Sequence, residues 1–313
     1  MYNITISLGE GKQFLVTIDP EKLILIAAAV AVVIALMVFM RMARKKQDKE
    51  ESQTTDSIPA TQLDDLSAGT VSIGKLHSQG KRKSQQDSFF VSPVEMMPTH
   101  GLLALVADGM GGLADGDRVS QTAVSTMAEG FYNIKGEPML LLLALLERAN
   151  RAVNNLLGPS GRNKSGSTLV AGLIRENKFY YLSVGDSRIC LYRNGMLFQL
   201  NREHVFHNEL LIQAVNGEKT FQTALSDKSA AGLTSFLGMG KLKYIDIPAC
   251  GIEIRPGDRF LLMSDGVYNA LPDEELRAHL NKTPEEAAQA IGAAIEAKGY
   301  TSQDNYTAVI LGC

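Results

Sequence analysis

The chain has 313 residues, of which 45% are hydrophobic and 21% are charged, so it can bury a full core and is not disordered throughout. Its formal net charge of -3 provides no basic field for a phosphate backbone, and we expect no nucleic-acid partner. The three cysteines, Cys190, Cys250 and Cys313, are far apart and predict neither a disulfide framework nor a zinc site.

The N-terminal 67 residues divide into three predicted segments. Residues 1–22 form a short extracytoplasmic segment, in which two alternating stretches around Gly9 and Gly11 predict a hairpin. Residues 23–40 are all apolar, and a helix of that length spans roughly 27 Å, which predicts a transmembrane helix. Residues 41–67 begin with a basic stop-transfer cluster and continue as a polar, flexible linker.

The charges that flank the apolar run predict its orientation. The basic cluster follows the run, so the positive-inside rule places the N-terminus outside and the remainder of the chain in the cytoplasm. A cleaved signal peptide is the alternative, but it requires a basic segment before the run and a small-residue cleavage site after it, and the sequence has neither. We therefore expect a single-pass protein of the inner or plasma membrane.

Residues 68–313 alternate short apolar runs with pairs of helical segments, an order that predicts packed sheets flanked by helices. Asn194-Gly195 between two apolar runs predicts an antiparallel hairpin. Helices are predicted at about 117–132, 138–157, 272–280 and 284–298. Strands are predicted at 101–107, 167–174, 179–184, 260–263 and 307–311.

Acidic residues recur at the ends of these predicted strands. Asp108 and Asp265 each follow an apolar strand and precede a glycine, and Asp304 stands just before the last strand. Carboxylates without a His or Cys cluster are typical of sites for hard divalent cations such as Mg²⁺ and Mn²⁺. A calcium loop of the EF-hand type is excluded, because the twelfth position from Asp108 is Val119 and not a glutamate.

Five short signatures stand in fixed order along this part of the chain: Arg82 to Asp87, Asp108 to Gly112, Gly185 to Arg188, Ser264 to Val267 and Asp304 to Thr307. With these residues, 68–313 resembles the PPM family of metal-dependent serine/threonine phosphatases, the protein phosphatase 2C family, in its bacterial form. The resemblance implies an α+β fold, a four-layer α-β-β-α sandwich of two antiparallel sheets flanked by helices. In this chain the sandwich would be preceded by the one transmembrane helix.

The resemblance also implies a role for individual residues. Arg82 would contact the substrate phosphate, and Asp186 would contribute to a third, weaker metal site. Two Mn²⁺ or Mg²⁺ ions would activate a water molecule that hydrolyses phosphoserine or phosphothreonine, with Asp108 bridging both ions. The predicted ligands of these two ions are Asp87, Asp108, the backbone carbonyl of Gly109, Asp265 and Asp304.

Three residues depart from the family pattern. Met110 stands where some members have a histidine that acts as general acid, so another group or water must protonate the leaving alkoxide. Gln86 replaces an acidic residue that often precedes Asp87, which lowers the local negative charge. Asn269 replaces a further aspartate, which predicts weaker binding of the third ion.

Two functions remain open at this stage. The first is a membrane-anchored phosphoric monoester hydrolase that acts on phosphorylated proteins, the substrates of a serine/threonine kinase. The second is a pseudophosphatase, a catalytically weak module that binds phosphoproteins. Intact acidic ligands favour the enzyme, because a binding module has no need of several mutually repelling carboxylates in one cleft.

Overall fold

The computed structural model describes residues 2–8, 12–18, 71–111, 115–162 and 164–313. The predicted transmembrane helix at 23–40, the predicted linker at 41–67 and Gly112 lie outside the described residues. No helix among the described residues has the length and apolar character needed to cross a membrane. The chain divides into two compact units, Met1–Asp65 and Leu66–Cys313, and each is described by itself.

The first unit contains an antiparallel hairpin of β1 (Tyr2–Leu8) and β2 (Lys12–Ile18). Its register places Tyr2 opposite Ile18 and Leu8 opposite Lys12. The alternating pattern of the sequence therefore predicted this hairpin correctly.

The second unit contains two antiparallel sheets. One has five strands in the order β10-β9-β12-β13-β3, and the other has the order β11-β8-β7-β5-β4, with β6 paired to β5. Its strands are β3 (Ser72–Ser78), β4 (Asp87–Val91), β5 (Leu102–Met110), β6 (Gly166–Ser167), β7 (Leu169–Arg175), β8 (Lys178–Val184), β9 (Arg188–Arg193), β10 (Met196–Gln199), β11 (Ile252–Glu253), β12 (Arg259–Met263) and β13 (Tyr306–Gly312).

Helices cover the outer face of each sheet. Those of the described residues are α1 (Met97–His100), α2 (Gly116–Asn133), α3 (Pro138–Gly161), α4 (Phe206–Val215), α5 (Phe221–Leu225), α6 (Asp265–Tyr268), α7 (Asp273–His279) and α8 (Pro284–Ala297). The pair α2 and α3 packs on the six-stranded sheet, and α7 and α8 pack on the five-stranded sheet. The sequence gives α8 a clear start, since Thr283 and Glu286 form a reciprocal capping box.

A third apolar layer lies between the two sheets. At its centre the rings of Phe179 on β8 and Phe260 on β12 stack with centroids 3.9 Å apart. The order of layers is therefore helices, sheet, sheet, helices, which confirms the predicted α+β sandwich.

Local predictions were confirmed at one turn and wrong at one strand end. Asn194 and Gly195 have φ of 53° and 76° and join β9 to β10, as the Asn-Gly pair predicted. Asp108, however, does not follow its strand but lies inside β5. The ladder continues past the apolar run because Asp108 pairs with Asp87 on β4 and Met110 pairs with Gly166 on β6.

Candidate active site

A cavity of about 310 Å³ opens where acidic residues of both sheets meet. Six of the seven predicted site residues line it, and Asp87, the seventh, is buried opposite Asp108. The residues that line the cavity are Arg82, Gln86, Asp108, Gly109, Met110, Gly111, Thr168, Asp186, Leu233, Asp265, Asp304 and Asn305.

Asp87 is the least exposed of the predicted carboxylate ligands, with 4% of its surface exposed. The hydroxyl of Ser264 donates to its Oδ2 at 2.7 Å, whereas its Oδ1 has no hydrogen-bond partner among the described residues. Burial, and then the nearby charges of Asp265 and Asp304, raise the pKa of Asp87 to about 7. This oxygen is therefore available to coordinate a cation. Burying it in ionised form without a cation or a hydrogen bond would destabilise the fold.

Asp108 is fixed by its own backbone. Its N–H donates to the Thr168 hydroxyl at 3.0 Å, and the Thr168 N–H donates to its carbonyl oxygen at 2.9 Å. These contacts leave the carboxylate on the cavity wall. Burial, followed by repulsion from Asp87 and Asp265, raises the pKa of Asp108 well above its usual range.

Asp265 is the first residue of the short helix α6, one residue after Ser264 and two after the end of β12. Its Oδ2 accepts a hydrogen bond from Asn269 Nδ2 at 3.2 Å, and within the part of the chain that the structure describes its buried Oδ1 has no hydrogen-bond partner. Burial and then the charge of Asp304 raise the pKa of Asp265. Asn269, one of the family departures, thus hydrogen-bonds to a predicted ligand.

Gly109 lies where two backbones approach each other closely. A Cβ atom added there would stand 2.0 Å from the Gly116 carbonyl oxygen and 2.7 Å from that of Gln86. The Gly109 N–H donates to the same Gln86 oxygen at 3.1 Å. Only glycine fits this position, and its own carbonyl is the group predicted to bind a metal ion.

Arg82 and Asp304 meet at the mouth of the cavity. The Arg82 Nη2 donates to the Asp304 Oδ2 at 2.6 Å, with 57% and 38% of the two side chains exposed. Arg82 belongs to residues 79–86, here called the arginine loop, which connects β3 to β4. The ion pair shows that the guanidinium reaches the acidic cluster.

Asp186 lies between β8 and β9, on the far side of the cavity. Its backbone carbonyl accepts a hydrogen bond from the Tyr268 hydroxyl at 3.1 Å, and the Arg188 guanidinium lies 3.7 Å above the Tyr268 ring. Burial, and then the charge of Asp265, raise the pKa of Asp186 to about 7.

The cluster fits divalent cations by its chemistry. Two buried carboxylate oxygens, on Asp87 and Asp265, lack hydrogen-bond partners among the described residues. Neighbouring carboxylates also raise the pKa of each of these groups. A positive charge among them would compensate the buried oxygens and reduce the repulsion between the carboxylates. No three acidic, His or Cys side chains of the described residues form a closed cation cage. Each ion would therefore need water and backbone carbonyl ligands as well, as Mg²⁺ commonly does.

Sequence reasoning did not single out three residues that build this site. Ser264 supports Asp87, Thr168 supports Asp108, and the buried Asn305 holds the arginine loop. Ser264 and Asn305 stand inside the acidic signatures, so position next to a ligand was an available signal. Thr168 gave no such signal, because it lies in a run that is typical of a strand.

Comparison with known proteins agrees with this geometry. Residues 73–297 match the family model described as Protein phosphatase 2C. The serine/threonine phosphatase stp of Listeria monocytogenes serotype 4b (strain F2365) is 29% identical over 220 residues, which cover 67% of this chain and 83% of that protein. The structure of the S. agalactiae serine/threonine phosphatase has a TM-score of 0.67 and 25% identity, and the match covers 77% of this chain and 99% of that one.

A further structure is described as the catalytic domain of the serine/threonine protein phosphatase PstP in complex with two manganese ions. It has a TM-score of 0.60 and 25% identity, over 77% of this chain and 97% of that chain. The present chain belongs to the protein phosphatase 2C family. The predicted enzyme class, a metal-dependent protein serine/threonine phosphatase, is thereby confirmed.

Proposed function

We propose that the chain is a membrane-anchored phosphatase that removes phosphate from phosphoserine and phosphothreonine of cytoplasmic proteins with the help of two bound cations. The observation that carries the proposal is the convergence of five carboxylates and one arginine at a single cleft. Membership of the family supports the same activity.

The proposed ligands of two Mn²⁺ or Mg²⁺ ions are Asp87, Asp108, the Gly109 carbonyl, Asp265 and Asp304. Asp186 is the proposed ligand of a third, weaker ion. When bound, such ions lower the pKa of water and neutralise the charge of a phosphate group. The unpaired oxygens of Asp87 and Asp265 and the mutual repulsion of the carboxylates support this assignment.

Arg82 is the proposed ligand of the substrate phosphate. A guanidinium offers paired donors in a fixed fork and keeps its charge at any working pH, so it can hold two oxygens of one phosphate. Its pairing with Asp304 supports the role, because it places the positive charge at the mouth of the acidic cleft. Arg82 would then orient the phosphorus towards the carboxylates.

Protonation of the leaving alkoxide falls to water in this proposal. Met110 cannot donate a proton, and no histidine is among the described residues that line the cavity. The cleft is open to solvent at Arg82 and Asp304, which supports direct delivery by water.

Membrane attachment is proposed from residues 23–40 and the basic residues that follow them. Attachment would raise the concentration of the phosphatase near membrane-bound substrates of a serine/threonine kinase without any conformational change. Carbonate extraction of cell membranes tests this proposal. The full chain should remain in the pellet and a chain without residues 1–46 should not, and release of both would remove the anchor from the proposal.

The activity is tested with the full chain in mild detergent, stripped with chelator and assayed on a phosphothreonine peptide with and without Mn²⁺. We expect Mn²⁺-dependent phosphate release that is lost in Asp108→Asn and Asp265→Asn. The matched control is Glu274→Gln, because Glu274 is exposed and outside the cavity. A folded chain that binds Mn²⁺ without releasing phosphate would instead be the phosphoprotein-binding pseudophosphatase.

A further inference from the structure

The side chain of Asn305 is buried against the arginine loop, with 4% of the residue exposed. Its Nδ2 donates to the backbone oxygens of Gln79 at 2.8 Å and Ser84 at 3.0 Å. Its Oδ1 accepts from the Gln86 N–H at 2.9 Å. All three hydrogen bonds therefore end on the loop that carries Arg82.

The arginine loop is a connection without regular structure, so these bonds define its path. Outside Asn305, the loop backbone is held at two points: the Lys81 N–H donates to the Gln303 carbonyl at 2.8 Å, and the Gln86 carbonyl accepts from the Gly109 N–H at 3.1 Å and from the Ser120 hydroxyl at 2.6 Å. Within the loop, the Gln79 side chain donates to the Arg82 carbonyl at 2.8 Å. The side chain of Arg82 itself is more than half exposed, and its one side-chain hydrogen bond to a described residue is to Asp304. The position of its guanidinium thus depends on where the loop backbone is held.

Asn305 is also fixed from the other side. It follows Asp304 directly, and its own carbonyl oxygen would lie 1.9 Å from a Cβ atom added to Gly266. Gly266 is the neighbour of Asp265 on α6. Asn305 thereby connects the arginine loop to the chain segments that carry Asp304 and Asp265.

We propose that Asn305 is a positioning residue: it holds the loop that carries Arg82. Asn305 would affect the substrate phosphate only through the position of the Arg82 guanidinium. This inference rests on the proposed function, since it requires Arg82 to bind phosphate. Productive phosphate binding demands a narrowly defined geometry, and a displacement of about 1 Å can cost a hundredfold in rate. Removing the three bonds leaves the loop backbone with fewer attachments while the arginine itself stays in the chain.

A double-mutant cycle on the full chain tests the proposal, with p-nitrophenyl phosphate as a substrate that makes no peptide contacts. Asn305→Ala should lower kcat/KM by about tenfold or more in the wild-type background. In the Arg82→Ala background the same substitution should change kcat/KM by less than about twofold. In the wild-type background, Asn305→Ala should also divide its effect between kcat and KM in the same way as Arg82→Ala does. The Mn²⁺ affinity of Asn305→Ala should stay near that of the wild type.

Asn201 provides a matched control. It is buried to the same degree, at 4% exposure, and also makes three side-chain hydrogen bonds, to Ile189, Ser183 and Ser187. None of these partners belongs to the arginine loop. Any loss caused by Asn201→Ala should therefore be the same with and without Arg82.

The outcomes separate the two proposals. Equal losses from Asn305→Ala in both backgrounds would overturn the positioning role while leaving the phosphatase intact. Absence of Mn²⁺-dependent hydrolysis by the wild type would overturn the proposed function and the positioning role with it. If Asn305→Ala does not fold, Asn305→Ser, whose hydroxyl can still pair with one loop group, undergoes the same comparison.

Discussion

Asp87 and Asp108 stand directly opposite each other across the antiparallel pair of β4 and β5. Like charges at such positions destabilise a sheet, and here both groups are also removed from water. Burial is the largest cause of the raised pKa of each carboxyl. The pair thus destabilises the metal-free fold, and both carboxylates would hold a cation if one were bound.

We expect the site carboxylates to make the metal-free chain less stable as pH rises from about 4 to 7. The pKa values of Asp87 and Asp186 rise from 3.8 to about 7 on folding, so in this window the native state holds more protons than the unfolded state. The free energy of unfolding contributed by these groups then falls with pH and levels off above pH 7. Urea denaturation in chelator at pH 5 and pH 8 measures the effect.

Asp186→Asn isolates this contribution, because His77 and the buried His204 have lowered pKa values and impose the opposite slope below pH 6.5. The variant should be more stable than the wild type by about 4 kcal/mol at pH 8 and by only about 1 kcal/mol at pH 4.5. A constant difference between the two proteins over this range would contradict the expectation.

Arg82→Ala should lower kcat/KM on a phosphothreonine peptide by about 10- to 100-fold, the usual cost of a lost charge-assisted hydrogen bond. Mn²⁺ affinity, measured by calorimetry, should be unchanged or higher, because a positive charge that pairs with Asp304 is removed. Arg82→Lys should recover only part of the activity, since an ammonium lacks the paired donors. Lys83→Ala is the exposed neighbouring control, and a parallel loss of Mn²⁺ affinity in Arg82→Ala would argue for a metal-site defect instead.

Gly109→Ala should reduce both stability and Mn²⁺ binding. The new methyl group would stand 2.0 Å from a backbone oxygen of Gly116, so β5 or the start of α2 must shift, at a cost of about 1 to 3 kcal/mol. Gly136→Ala is the control, because an added Cβ there meets nothing within 4 Å. Thermal denaturation with and without Mn²⁺ separates the two effects, and wild-type behaviour of Gly109→Ala would refute the close contact.

Truncation of Phe260 should affect metal binding, whereas truncation of Phe131 should not. Both rings are fully buried, and Phe→Ala at either position should cost about 3 to 5 kcal/mol. Phe260 packs between the two sheets, where Asp87 begins β4 of one sheet and Asp265 follows β12 of the other. Phe131 packs between one sheet and its helices. Calorimetry with Mn²⁺ at a temperature where both variants are folded distinguishes them, and equal affinities would show that the site tolerates changes in sheet spacing.

The sequence predicted the layers of the fold and the identity of the acidic residues. Periodicity identified the strands and helices, and the Asn194-Gly195 turn was predicted from backbone preferences alone. These features depend on local order along the chain. Local order also led to the right segment for Asp265, which follows β12 as expected.

The remaining features depend on partners that are distant in sequence. Asp108 lies within a strand because β4 and β6 extend the ladder, and no property of the run Leu102–Ala107 indicates that extension. The role of Asn305 is set by a loop more than 200 positions earlier. The contact between Phe179 and Phe260 likewise joins two different sheets. The alternation of apolar residues along a strand does not indicate how one sheet lies on another.

The pairing of β3 with β13, which places Tyr306 opposite Ser78, has a consequence for biosynthesis. A ribosome completes the Arg82 and Asp87 segment early, whereas Asp304, 222 positions after Arg82, emerges only just before β13. Nascent chains begin to fold from the N-terminus, yet no nascent chain that stops short of Asp304 can bring the arginine and its acidic partner together. Dephosphorylation by this enzyme would therefore begin only once translation has passed β13.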